Sequence, residues 1–164
     1  LSDILQWNQF EQDKEMIKFG AQGQFQTTTF DYFHRAGSSV FYEIHDILRY
    51  NKFGSIKADD QLSREIRRGS INKTDALILS EYYKFILLAE ENVNRQVCQF
   101  FTWLGLDAEA ADWFVKHRLQ LRNKPNNPEF GEYTHKQFLR RLYDTEFTGV
   151  AHKKKDFCVF EKGI

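Results

Sequence analysis

Apolar side chains recur along most of this chain at intervals of three and four residues, the period that turns one face of an α-helix toward a core. Ile4, Trp7, Phe10 and Ile17 mark one side of a first helix over residues 2–19, with Ser2 as its cap and Gly20 and Gly23 as its end. Residues 24–50 carry Phe25, Phe30, Tyr32, Phe33, Phe41 and Tyr42, interrupted by Thr27-Thr28-Thr29 and by Gly37-Ser38-Ser39. That pattern predicts one helix kinked near Gly37, or two helices joined there, with Phe41, Ile44, Ile47 and Leu48 on a buried face. Residues 51–58 read as a loop, after which Asp59 caps a short helix ending at Gly69 with Leu62 and Ile66 turned inward.

The longest uninterrupted stretch runs from Thr74 to Leu104 without Gly or Pro and stops at Gly105. It predicts one continuous helix, roughly 46 Å long at 1.5 Å per residue, as the spine of a bundle. Its ends are apolar (Leu77, Ile78, Ile86 and Leu87; then Val97, Phe100, Phe101 and Leu104), while residues 90–96 are mostly polar. Asp107 caps a further helix to about Arg122, with Trp113, Phe114, His117 and Leu121 inward. Residues 123–128, with two prolines, form a loop, and Thr134 caps a last short helix that buries Phe138, Leu139 and Leu142. The expected fold is all-α: a helical bundle of five to seven helices with one long central helix and an irregular C-terminal tail. Residues 1–143 are read as the bundle domain, and residues 144–164 as an extended tail packing on the domain or on a partner.

Composition sharpens this picture in two ways. Phe occurs 16 times and Pro only twice, so helices run long and more aromatic surface exists than one small core absorbs. Charge is balanced overall but polarised along the chain. From Lys116 onward there are 11 Lys and Arg against 6 Asp and Glu; the preceding residues carry 12 against 17. Arg118, Arg122, Lys124, Arg140, Arg141, Lys153, Lys154 and Lys155 thus form a candidate basic docking surface, interleaved with Tyr133, Phe138, Tyr143, Phe147 and Phe157.

No run of 18 apolar residues exists to span a membrane. The chain opens on Leu1 with no basic-then-apolar leader, so it is read as trimmed at its start or as a piece of a longer precursor. Two cysteines, Cys98 and Cys158, make no CxxC pair and favour a reducing intracellular compartment. Cys98, among Val97, Phe100 and Phe101, is expected to be a buried inert thiol, while Lys153-Lys154-Lys155 would lower the pKa of Cys158.

Candidate chemistry is thin. Asp31-x-x-His34 and Glu132-x-x-His135, with His45 three turns beyond His34, echo the Glu-x-x-His pairs of di-metal bundles, but the further carboxylates such a site needs are missing. A loop centred on Gly54 has the Gly-x-Ile look of a calcium loop. It puts Arg49 first, Phe53 fifth and Asp60 last, where calcium requires oxygen ligands and a bidentate Glu. No phosphate-cradling glycine loop, nucleophile elbow or zinc-protease motif occurs. The expected function is a non-catalytic protein-interaction module or subunit of a larger assembly, self-associating or bound to a protein partner, with no cofactor. The alternatives are nucleic-acid binding through the basic C-terminal third, and a metal-dependent bundle enzyme.

Overall fold

The computed structural model of the chain describes residues 8–19, 28–30, 41–119 and 125–143. Among these residues there are seven α-helices and no strand. They are α1 (Gln9–Lys18), α2 (Tyr42–Phe53), α3 (Lys57–Arg67), α4 (Lys73–Leu87), α5 (Glu90–Trp103), α6 (Ala108–His117) and α7 (Gly131–Tyr143). The molecule is the helical bundle that the periodicity predicts. None of these helices is long and apolar enough to cross a membrane.

The bundle is built around α4. It lies against α3 on one side and α7 on the other, and touches α2 and α5. The second grouping has α5 against α6 and α2, and α1 rests on α7. Ala76, Leu79, Tyr83 and Leu87 of α4 are buried at steps of three and four residues. They meet Ile44 and Ile47 from α2, Leu62 from α3, Val93 and Val97 from α5, and Phe138 and Leu139 from α7. Phe30, 1% exposed, stands between helices rather than on one. Its ring is 6.3 Å from Phe10 of α1, 6.4 Å from Tyr83 of α4 and 5.3 Å, edge to face, from Phe138 of α7.

The single spine helix expected from Thr74 to Leu104 is two helices. Ala89 leaves the helical region at φ −55°, ψ 133°, and the Asn92 side chain donates to the Leu87 carbonyl at 2.9 Å, satisfying a group the broken ladder releases. Packing explains the break. Leu87 and Leu88 are adjacent and both buried, and α4 and α5 then serve different neighbours, which one straight helix does not allow. The polar stretch read as the middle of a spine is therefore a helix start, with Glu90 and Glu91 in the first turn of α5 where the helix dipole favours carboxylates.

Other boundaries also move. Asn8 precedes α1 and its side chain accepts the Phe10 N–H at 3.1 Å, at the start of the described helix; the expected Ser2 cap and the Gly20 and Gly23 end lie outside the described residues. Thr28 and Thr29 are buried and non-helical, because their hydroxyls are spent on Glu43 (3.4 Å) and Gln61 (2.9 Å). The loop expected over residues 51–58 shrinks to Gly54–Ile56, and α3 starts at Lys57. Asp59 acts from inside that helix, accepting the Ile56 N–H at 2.9 Å and the Ser80 hydroxyl at 2.5 Å, which ties α3 to α4. Asn72 rather than Thr74 caps α4, accepting from the Asp75 N–H at 2.8 Å. Asp107 caps α6 as expected, through the Ala110 N–H at 2.8 Å, but the helix ends at His117 instead of about Arg122. The last helix begins at Gly131, three residues before Thr134.

Several inward assignments reverse as well. On α3 the buried residues are Ala58, Gln61, Leu62 and Glu65, while Ile66 is exposed. On α6 only Ala111 is fully buried; Trp113 and His117 face out. Leu48 and Leu77 are exposed, and so is Cys98, which is one position beyond the buried Val97. The expected tail, residues 144–164, with Cys158, lies outside the described residues.

Candidate functional site

The residues of the helix over Gly131–Tyr143 divide by face. Phe138 and Leu139 point to the core. Tyr133, Thr134, Gln137, Arg140 and Arg141, at i, i+1, i+4, i+7 and i+8, recur at helical steps that set them together on another face. Across from them stands Asp75, in the first turn of α4. These six residues line an open cleft of ≈440 Å³ between α4 and α7.

Nearer the start of α7 the two helices are closely packed. Gly131 lets α7 approach α4 so closely that a Cβ there would lie 2.7 Å from Tyr82 Cδ2 and 2.9 Å from Pro128 Cγ. One turn on, His135 Nδ1 is 2.8 Å from the Tyr83 hydroxyl, and the Tyr83 and Tyr82 rings flank the imidazole at 5.5 and 5.7 Å. Burial pushes His135 down to about 4, and neighbouring Lys136 adds to this against the weaker pull of Glu132. The ring is therefore neutral at pH 7, and its Nδ1 is free to accept from the tyrosine O–H.

The two cations that line the cleft carry no ion pair to a described carboxylate. Lys14, Lys18, Arg49, Arg68, Lys84, Lys116 and Lys136 each pair with a carboxylate. Among the described residues neither Arg140 nor Arg141 does. The Arg141 guanidinium lies 5.8 Å from the centre of the Phe138 ring.

Of the basic surface expected from the sequence, the cleft unites Arg140 and Arg141. Arg118 is at the end of α6, its guanidinium 5.4 Å from the Trp113 ring, and does not line the cleft. Arg122, Lys124, Lys153, Lys154 and Lys155 lie outside the described residues. So do Asp31 and His34 of the metal candidates. His45 is exposed on α2, Glu132 pairs with Lys136, and His135 serves Tyr83. No group of three or more His, Cys, Asp or Glu side chains is placed to hold a metal among the described residues. The two end positions of the calcium-like loop, Arg49 and Asp60, bind each other at 2.8 Å. Asp75, Thr134 and Gln137 were not legible as site residues. The α7 spacing was available as a signal for Thr134 and Gln137, whereas Asp75 reaches the cleft only through the packing of α4.

A second surface feature is apolar. The α5–α6 turn closes on Gly105 at φ 79°, with the Leu106 N–H bonded to the Phe101 carbonyl at 2.9 Å and the Gly105 N–H to the Thr102 carbonyl at 3.0 Å. Around it Trp103, Leu104 and Leu106 are 42%, 50% and 47% exposed. Trp103 leans on Phe41 and Phe100, with ring centres 5.1 and 6.0 Å away, so it is held outward on a packed aromatic base. Trp113 adds a further exposed ring on α6.

Comparison with known proteins gives one family. Residues 24–143 match the model for the C-terminal domain of WbpG-like LPS biosynthesis proteins. No curated protein and no solved structure matches the chain. The match covers most of the sequence and six of the seven helices, and the chain belongs to this WbpG-like C-terminal domain family.

Proposed function

We propose that this chain is a helical interaction domain of an LPS biosynthesis protein, acting by contact rather than by chemistry of its own. The observation that carries this reading is the apolar turn between α5 and α6. Three large hydrophobic side chains in four residues stand in solvent there, fixed by a Schellman closure and an aromatic base. Aromatic and aliphatic groups held out rigidly cost little entropy to dock and are the usual anchors of protein interfaces. The family description calls this a C-terminal domain, so other sequence precedes it in the proteins that carry it. That preceding region is the occupant we assign to the turn.

Tryptophan quenching tests the assignment. Trp7→Phe with Trp113→Phe leaves Trp103 as the one tryptophan of this chain. In this chain alone, acrylamide is expected to quench Trp103 freely. In the longer protein Trp103 is expected to be shielded, and Leu104→Glu with Leu106→Glu to restore its quenching. Equal quenching of Trp103 in the two contexts would overturn the reading.

A further inference from the structure

We propose that the cleft between α4 and α7 is a binding site for a small polyhydroxylated oxyanion, its phosphate or carboxylate held by Arg140 and Arg141. Four observations lead there, none of them drawn from the apolar turn.

The first is charge without an ion pair. Two guanidiniums border one cavity, and no described carboxylate pairs with either. The second is the type of cation. A guanidinium presents its donors as a planar fork that fits two oxygens of a phosphate or carboxylate at once, which an ammonium does not. The third is a local anchor. Arg141 lies 5.8 Å from the ring of Phe138, a packed side chain of the same helix. The fourth is the remaining wall. Thr134 and Gln137 donate and accept, and Tyr133 offers a ring with a hydroxyl at its edge. Asp75 accepts hydrogen bonds on the side opposite the arginines. It is held there by Asn72, whose amide donates to Asp75 Oδ2 at 2.8 Å. A ligand that satisfies this wall carries a negative group at one end and hydroxyl donors at the other. A bare anion uses only the arginine half, and a neutral polyol only the other.

The size is consistent with such a ligand. The cleft's ≈440 Å³ falls within the range of about 300–1,000 Å³ usual for small-molecule sites, and its open mouth needs no rearrangement for entry.

The test is a titration of the whole chain followed by NMR at the arginine Nε–H groups. The probes are glucose 6-phosphate, glucuronate, inorganic phosphate and glucose. Saturable shifts at Arg140 and Arg141 are expected with glucose 6-phosphate or glucuronate, and the stronger of the two identifies the oxyanion. Inorganic phosphate should bind at least about 10-fold more weakly, and glucose should leave the arginines unmoved. Arg140→Gln with Arg141→Gln should abolish the response while circular dichroism stays unchanged, both side chains being exposed. Arg64→Gln with Arg67→Gln, removing exposed cations of α3, should leave the response intact. The proposal is overturned if neither sugar anion gives saturable shifts, or if the Arg140/Arg141 double variant responds as the parent does. Binding of inorganic phosphate as tight as that of both sugar anions would also overturn it.

Discussion

His135 shows how one residue's setting decides its chemistry. Its Glu-x-x-His spacing reads as half of a metal site, yet the ring is turned to Tyr83 and Glu132 to Lys136. Nothing in the local sequence announces a tyrosine 52 positions earlier. The neutral imidazole has a consequence for stability. The folded chain holds His135 unprotonated down to about pH 4, whereas the unfolded chain takes up the proton near pH 6.5. Between those values the unfolded state binds more protons, so acidification favours it; above pH 6.5 the contribution is constant. Lowering the pH from 6.5 to 4.5 should cost about 2–3 kcal/mol through this group at 1.36 kcal/mol per unit. Urea unfolding at pH 7 and pH 4.5 checks it: the loss should be smaller by about that amount in His135→Gln. An identical loss in the variant would assign the acid sensitivity to other groups.

Among the elements, the placement of α7 depends most on a single position. Gly131 has no side chain where one would strike the Tyr82 ring and Pro128. Ala is the better helix former by up to about 1 kcal/mol, but overpacking at a tight contact costs about 1–3 kcal/mol. Gly131→Ala should therefore lower the melting temperature by several degrees, with a net loss of about 1–2 kcal/mol. A rise would mean that Tyr82 turns aside without penalty. Helix boundaries were legible where one residue closes the helix, Asp107 with its carboxylate and Gly105 with its left-handed backbone. They were not legible where packing decides. Thr74 to Leu104 has no helix breaker, and only the need to bury Leu87 and Leu88 on two different neighbours bends it at Ala89. On α3 the inward face includes Gln61 and Glu65, so polarity pointed the wrong way. Gln61 is inside because Thr29 supplies its hydrogen bond, and Glu65 because Arg68 pairs with it at 3.0 Å.

Across the whole molecule, the fold class was legible because few glycines and prolines interrupt the helical period. The candidate site was half legible: Arg140 and Arg141 stand in the sequence, but the opposite wall comes from α4, far away along the chain. The same long reach holds the bundle together at Phe30, whose ring touches side chains of α1, α4 and α7. Phe30→Ala should cost about 3–5 kcal/mol, the range for emptying a buried phenylalanine site. Hydrogen exchange should show α7 and α1 losing protection before α5 and α6 do, which meet elsewhere. Uniform loss would mean that the helices open as one unit.

The pairing of α4 with α7 also bears on how the chain is made. A ribosome adds about 5–20 residues per second, so α4 is finished several seconds before the helix that covers it has been synthesised. During that interval Tyr83 and the face around it wait without their final partner. A newly made chain is most exposed to wrongful association at α4, and a chaperone that shields nascent chains would find its natural target there until Gly131 and the helix behind it arrive.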